Sequence, residues 1–207
     1  MAQPRNFDIN VFVNCPFDDD YRQLMIAIVF TVKYFKFIPR LSSERADSGE
    51  SRIDKILGLI EESKFGIHDL SRMISSKKNE HYRMNMPFEL GVDYGCKKLK
   101  NGVWKNKKIL ILDKERYRFQ KALSDLSGSD IKNHNDEAIK VVSAVRDWFI
   151  TEELDRGDSG NKVWSDFNDF QAYLYDEVVV KDGHASVDDV QISEIIHHMG
   201  NWFDKKI

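Results

Sequence analysis

Cysteine, proline and glycine are scarce in this chain of 207 residues, which has 2 Cys, 4 Pro and 11 Gly. Two cysteines do not make a disulfide framework, so a reducing, cytoplasmic compartment is expected. The low proline and glycine content excludes collagen-like and linker sequence. The longest apolar run, Leu24–Val32, is too short to span a bilayer, and the N-terminus lacks the apolar stretch of a signal peptide. Membrane and secreted classes are therefore not expected.

Apolar and charged residues occur in the proportions of a globular protein. Hydrophobic residues make up 42% of the chain and charged residues 31%, which is enough to build a buried core. The charge is unevenly placed, because residues 1–150 hold 26 Lys and Arg against 21 Asp and Glu (net +5), whereas residues 151–207 hold 5 against 13 (net −8). The acidic C-terminal part is a poor partner for nucleic acid, while the mildly basic body suits a small anionic ligand.

Short β-branched segments alternate with helical patterns through the first 150 residues. The predicted strands are residues 9–13, 37–41, 65–69, 108–113 and 129–132. Helices are predicted at 18–35, 47–60, 85–95, 116–126 and 138–149, with Asp47–Glu50 forming a capping box for the second and Asn85 capping the third. This alternation predicts an α/β fold: a flavodoxin-like open parallel sheet of about five strands in the order 2-1-3-4-5, flanked by helices.

The C-terminal residues form a separate unit in this interpretation. One helix is predicted near Trp164–Val178, and another is predicted to begin at Ser186 with Asp189 as its capping partner. Their apolar stripes predict packing on the body or on another subunit. Residues 155–161 contain two glycines and are expected to form a flexible joint. The chain is thus divided into an α/β domain, 1–154, and an acidic helical C-terminal extension, 155–207.

Polar residues follow the predicted strands at the ends where open α/β sheets bind ligands. The candidate binding residues on this edge are Asn14, Cys15, Phe17, Ser43, Arg45, Asp69, Ser71 and Asn85. Arg45 could contact phosphate, and Asp69 could bind ribose hydroxyls or simply cap the turn after its strand. Cys15 could act as a nucleophile only beside a base, and packing is its more ordinary role. The six histidines lack metal-ligand spacing, so no metal is expected.

Glu89 is the candidate catalytic residue, in the first turns of the helix after the third strand. Gly91 and Gly95 are expected to bring this helix close to the sheet, where an apolar surrounding would raise the pKa of Glu89. A carboxylate placed there could stabilise the oxocarbenium-like centre formed when an N-glycosidic bond breaks. It could instead only complement the dipole of the helix N-terminus, and the residues alone do not decide between the two roles.

Two motifs resemble those of TIR-like and nucleoside 2-deoxyribosyltransferase-like proteins. Ile67–Ser71 is similar to their third strand with its Asp-Leu-Ser ending, and Asn85–Gly91 to their Asn-x-x-x-Glu-Leu-Gly segment. Val11–Phe17 occupies the place of their first strand and nucleobase loop. Both groups have a flavodoxin-like fold with a catalytic Glu on the helix after the third strand. The resemblance therefore implies a catalytic role for Glu89, and a sugar-binding role for Asp69.

The resemblance covers about residues 8–150 and implies a TIR-like enzyme that cleaves the nicotinamide–ribose bond of NAD or a related nucleotide. The product would be ADP-ribose or a cyclic ADP-ribose-type signal, in bacterial anti-phage defence. NAD would be a substrate and not a cofactor, and the protein would work as a homo-oligomer, with a separate effector protein as a further candidate partner.

Other functions stay open at this point. A nucleoside 2-deoxyribosyltransferase-like enzyme would apply the same chemistry to free deoxynucleosides, although Met86–Pro87 replaces the Gly-Thr that usually precedes the transferase Glu. A non-catalytic module that binds nucleotide or a partner protein is the alternative from another class. A phosphoacceptor receiver domain is disfavoured, because Asp18–Asp20 come several residues after the first strand and the fourth strand ends in Asp113.

Overall fold

Five parallel strands form the centre of the structure, a computed structural model that describes residues 3–44, 47–73, 84–121 and 123–206. The strands are β1 (Asn10–Asn14), β2 (Ile38–Arg40), β3 (Phe65–Asp69), β4 (Lys108–Asp113) and β5 (Ile131–Asn133). All neighbouring strands pair in parallel, in the order β2-β1-β3-β4-β5. The flavodoxin-like open sheet predicted from the alternation of strands and helices is therefore confirmed.

Helices cover both faces of the sheet. They are α1 (Arg22–Tyr34), α2 (Arg52–Glu61), α3 (Asn85–Leu99), α4 (Ala138–Phe149), α5 (Gly160–Tyr175) and α6 (Ile192–Lys206). The first, fourth, fifth and sixth pack on one face, and α2 and α3 on the other. A π-helical turn follows α4, and another follows α5. Across the described part of the chain, no helix is both long and apolar enough to cross a bilayer.

The segment 116–126 was predicted as a helix, and this prediction is wrong. Its described residues form two short 3₁₀ turns, Phe119–Lys121 and Ser124–Leu126, and no α-helix. Tyr117 has a left-handed backbone (φ 62°), and the side chain of Arg118 turns inwards, donates to Ser71 O at 2.6 Å and pairs with Asp113. These contacts with the ends of β3 and β4 stabilise an irregular backbone where the local pattern alone favours a helix.

The predicted helix caps differ from the observed ones. The α2 helix begins at Arg52 and Ser51 is its N-cap, because Asp47 Oδ1 accepts from the backbone of Gly49 at 2.8 Å and so closes a local turn. Asn85 is the first helical residue of α3, and no side chain caps that helix. The box predicted at Ser186 and Asp189 exists, but it encloses a 3₁₀ turn, and α6 begins further on, at Ile192.

The C-terminal helices share the main core with the body of the protein. The ring of Phe30, at the centre of α1, contacts aromatic rings from both α5 and α6. Its partners are Phe167, Phe170, Trp202 and Phe203. The predicted packing of the apolar stripes on the body is confirmed.

The joint that was expected to be flexible, residues 155–161, is anchored by hydrogen bonds from α1 and α4. Tyr34 donates to Asp158 Oδ2 at 2.5 Å, and Arg146 Nε donates to Asp158 O at 2.8 Å. The side chains of Phe35 and Ile150 close around Gly157, where a Cβ atom would lie 2.8–2.9 Å from them. The extension is therefore fixed to the body at its first residues as well as along its helices.

We expect Phe30→Ala to lower the free energy of unfolding by about 3–5 kcal/mol, because it leaves a cavity between α1 and both C-terminal helices. The measurement is urea denaturation followed by circular dichroism. Tyr175→Ala is the matched control, since this ring is 53% exposed and its loss is expected to cost less than about 0.5 kcal/mol. A chain ending at Glu153 that is as soluble and as stable as the full chain would contradict this role of the extension.

Candidate functional site

A row of buried polar side chains fixes α3 to the sheet. Asn14, at the end of β1, donates from Nδ2 to His68 Nδ1 at 3.0 Å and to Met86 O at 2.9 Å. His68 Nε2 lies 2.9 Å from Asp93 Oδ2, and Asp93 Oδ1 lies 3.0 Å from Lys107 Nζ. Because Nδ1 accepts from Asn14, the ring proton is on Nε2 and donates to Asp93. This network clamps α3 at its first turn and again near its middle.

The charge on Asp93 is stabilised although the side chain is fully buried. Burial opposes ionisation, but His68 and Lys107 together outweigh it and hold the pKa of Asp93 below its usual range. Lys107 also donates to Ile60 O at 2.7 Å, so its ammonium group is satisfied as well. A buried pair of this kind is costly to break, since removing one partner leaves the other charge buried and unpaired.

Gly66 is the glycine that lets helix and sheet approach each other. A Cβ atom there would lie 2.2 Å from Asp93 Oδ2 and 2.9 Å from His68 Nε2, so any other residue at this position would displace the buried contact. The expectation that Gly91 and Gly95 serve this purpose is wrong. Nothing lies within 4 Å of a Cβ atom built at either position, because neither faces the sheet.

Glu89 lies one turn before Asp93 on the same buried side of α3. Glu89 is only 5% exposed, and its carboxyl group forms no hydrogen bond with another described residue. Burial raises the pKa of Glu89 to about 7, with Arg52 at the start of α2 acting in the opposite direction. The carboxyl group is therefore close to half ionised at neutral pH, as a group poised for catalysis or ligand binding often is.

A cavity of about 420 Å³ opens at the carboxyl edge of the sheet, next to the first turn of α3. Glu89 is linked to it through Asn85, one turn earlier on α3, and through Arg52, whose charge acts on Glu89. The lining of the cavity consists of Phe17, Ser42, Ser43, Arg52, Asn85 and Met86. Three of the predicted binding residues, Phe17, Ser43 and Asn85, thus meet at one opening, between the loop after β1, the turn after β2 and the start of α3. Arg52 was missed from the sequence, where it is an unremarkable residue at the start of a predicted helix.

Asp69 lies away from this cavity and is fully buried. Tyr21 Oη donates to Asp69 Oδ2 at 2.6 Å, the backbone of Ser71 donates to Oδ1 at 2.8 Å, and His134 Nε2 lies 3.0 Å from Oδ2. Burial raises the pKa of Asp69, but His134, Ser71 and Tyr21 outweigh it and keep the pKa below its usual value. This carboxylate therefore connects β3 with Tyr21, the residue before α1, and with His134, the residue after β5.

The remaining predicted residues are placed as follows. Asn14 belongs to the network under α3, Cys15 is buried, and the hydroxyl of buried Ser71 has no hydrogen-bond partner among the described residues. Burial, with Asp69 and Glu89 nearby, raises the pKa of Cys15 well above its usual value, so it is a thiol at neutral pH and packs in the core. Arg45 lies outside the described residues.

Comparisons with known proteins found no matching family model, no matching curated protein and no matching solved structure. The fold and the site on their own define an open parallel α/β protein with a cavity at the carboxyl edge of its sheet and, on the helix that lines it, a buried carboxyl group without a hydrogen-bond partner among the described residues. Among the described residues, no group of three or more His, Cys, Asp and Glu side chains is placed to hold a metal ion.

We expect Gly66→Ala to lower the free energy of unfolding by about 3–5 kcal/mol, because the new methyl group separates Asp93 from His68. The measurement is chemical denaturation at pH 7. Gly95→Ala is the matched control: nothing lies within 4 Å of its Cβ position in the interior of α3, and alanine favours the helix by up to about 1 kcal/mol. If Gly66→Ala were as stable as the parent, the close approach at Gly66 would not exist.

We expect Glu89→Gln to stabilise the protein at pH 8 and not at pH 5. Burial raises the pKa of Glu89 from 4.5 to about 7, so the neutral carboxyl is the form that the fold favours. Its contribution to stability is complete below the unfolded pKa and is lost as the pH rises through 7. The measurement is the difference in Tm between variant and parent from pH 5 to 8. Glu115→Gln, a change of the same type at an exposed residue, is the control, and a difference for Glu89→Gln that stayed constant with pH would contradict the raised pKa.

Proposed function

We propose that this protein cleaves the N-glycosidic bond between nicotinamide and ribose in NAD or a related nucleotide. The product is ADP-ribose or a cyclic ADP-ribose-type molecule, and Glu89 is the catalytic residue. The observation that carries the proposal is the buried carboxyl group of Glu89, which has no hydrogen-bond partner among the described residues and lies on the helix whose first turn lines an open cavity at the carboxyl edge of the sheet. In open α/β sheets this edge is where ligands bind. The two sequence motifs that resemble TIR-like proteins support the same reaction.

In the proposed reaction the protein supplies one negative charge, which stabilises the cation that forms at C1′. The bond between C1′ and nitrogen breaks with its electron pair on nicotinamide, which leaves as a neutral base. The ribosyl group is left as an oxocarbenium-like cation at C1′, which ionised Glu89 stabilises electrostatically. Attack of water on C1′ releases a proton to solvent and gives ADP-ribose. Attack by a nitrogen of the substrate's own adenine gives the cyclic product instead.

The cavity lining offers groups suited to a nucleotide. Phe17 is 42% exposed at the opening, where its ring is available to stack on a base. Arg52 supplies a cation for a phosphate group. Its charge also favours the ionised form of Glu89, which is the form that stabilises the cation.

Burial raises the pKa of Glu89, and no described residue offsets this effect fully. This favours a catalytic role for Glu89 over a purely structural one. A carboxylate that only complemented the helix dipole would be served equally well by solvent exposure. Asp93, on the same helix, has its burial offset by His68 and Lys107. Glu89 has no such compensation from the described residues, and a cationic transition state would supply it. In a bacterial cell this reaction would deplete NAD or generate a signal, in keeping with the anti-phage role that the resemblance implies.

We expect Glu89→Gln to lower kcat for nicotinamide release by on the order of a hundred- to a thousandfold, because glutamine keeps the shape and removes the charge. The affinity for NAD should change far less, since the ground state makes little use of that charge. The assay is nicotinamide release by chromatography, over a range of protein concentrations that includes assembled protein. For the parent, kcat/KM should rise with pH through about 7, the pKa of Glu89.

Controls and alternative outcomes separate the candidate functions. Glu115→Gln, an exposed change of the same type, should keep the parental rate. Equal rates for Glu89→Gln and the parent would remove Glu89 from the mechanism. Release of free base from deoxynucleosides and not from NAD would favour the 2-deoxyribosyltransferase-like reaction. Binding of nucleotide by a protein inert towards both substrates would favour a non-catalytic module.

A further inference from the structure

The most basic segment of the chain lies at the opposite edge of the sheet from Glu89. Residues 97–108 contain six lysines and no acidic residue, in a protein whose net charge is −3. The segment forms the last turn of α3, a short 3₁₀ helix at Gly102–Asn106 and the start of β4. Parallel strands all begin at the same edge of the sheet, the amino edge. These lysines are therefore brought together there, away from the cavity at the carboxyl edge.

Four lysines from separate parts of the fold line one cleft at this amino edge. Lys64 precedes β3, Lys97 lies on α3, Lys105 on the 3₁₀ helix, and Lys108 is the first residue of β4. The cleft has a volume of about 350 Å³, and its other lining residues are Asp8, Asn106, Lys107 and Glu153. We call it the amino-edge cleft.

Two of these four lysines are already paired with carboxylates. Lys64 Nζ lies 2.8 Å from Glu153 Oε1, and Lys108 Nζ lies 2.9 Å from Glu152 Oε2. Neither Lys97 nor Lys105 has a carboxylate within salt-bridge distance among the described residues. Lys107, the fifth lysine of the lining, is paired with Asp93. Among the described residues, the cleft therefore presents two cations without a carboxylate partner beside three that have one.

Lys97 is the cation whose position is least favourable without an anion. Its side chain is partly buried, and burial followed by repulsion from Lys108 and Lys98 lowers its pKa, against a weaker attraction from Glu152 and Asp93. The dipole of a helix C-terminus favours lysine, which accounts for Lys97 and Lys98 at the end of α3. It does not account for the neighbouring charge of Lys108, which belongs to β4. An anion between them would offset this repulsion.

We propose that the amino-edge cleft binds a small phosphate-bearing anion, with Lys97 and Lys105 as its principal contacts. Phosphate oxygens are strong acceptors for several ammonium groups at once, and the cleft has room for a diphosphate. A nucleic acid strand is a poorer occupant, because Asp8, Glu152 and Glu153 at the same surface would repel a polyanion that extends beyond the cleft. Neither Glu89 nor Arg52 takes part, so this site does not depend on the proposed reaction.

The test is titration of the full chain with pyrophosphate and separately with ADP, by calorimetry and by thermal shift, at low ionic strength. We expect both ligands to bind and to raise the Tm, with an affinity that falls as NaCl is added. The double variant Lys97→Gln/Lys105→Gln should bind at least tenfold more weakly. The matched control is Lys140→Gln/Lys181→Gln, which removes the same charge from two surface ion pairs outside the cleft and should bind as the parent does.

Single variants of the carboxyl-edge site separate this proposal from the proposed function. Binding of pyrophosphate should persist in Arg52→Gln and in Glu89→Gln, whatever these changes do to nicotinamide release. Tighter binding of ADP than of pyrophosphate would identify a nucleotide as the natural source of the phosphate, and equal binding would identify a free phosphate compound. The proposal is overturned if neither ligand binds, if Arg52→Gln abolishes binding, or if the two double variants lose affinity equally.

Discussion

The buried contact between His68 and Asp93 is the constraint on which the site depends. It joins the centre of the sheet to the middle of α3 at a distance of 2.9 Å, with both side chains fully buried. Asn14 fixes the tautomer of His68, and Lys107 neutralises Asp93 from the other side. Each polar group is matched, so the network orients the helix without leaving a charge uncompensated. The position of Glu89 follows from that orientation.

Two carboxyl groups one turn apart on α3 have opposite pKa shifts, although both are buried. Asp93 faces His68 and Lys107 and has a lowered pKa, whereas the charge of Arg52 does not offset the burial of Glu89, whose pKa is raised. The difference comes from the partners, because burial acts in the same direction on both. One carboxyl group therefore stabilises the fold, and the other keeps the capacity to interact with a ligand. Pairs whose environments separate their pKa values in this way are typical of functional sites.

The strands could be predicted from the sequence because their signal is local. Residues 65–69 and 108–113 were predicted with their observed bounds, since each is a short apolar run between polar segments. The pairing of His68, Asp93 and Lys107 could not be predicted, because its members are 14 to 39 residues apart in the sequence and meet only in the folded chain. Gly66, a glycine inside a strand, was the one local sign of a close approach. The prediction that Gly91 and Gly95 allow this approach was wrong, because both face away from the sheet.

The helix α3 connects the two edges of the sheet, and its length decides how far the two sites influence each other. Glu89 precedes Lys97 by eight residues, which corresponds to about 12 Å along a helix axis. Burial and the charge of Arg52 cause the pKa shift of Glu89, and no lysine of the amino-edge cleft contributes to it, so charge at the cleft has little direct effect on the ionisation of Glu89. Movement of the helix is opposed by the clamp at Asp93, which lies between the two positions. An anion at one edge and a nucleotide at the other would therefore bind as nearly independent ligands of a fixed helix.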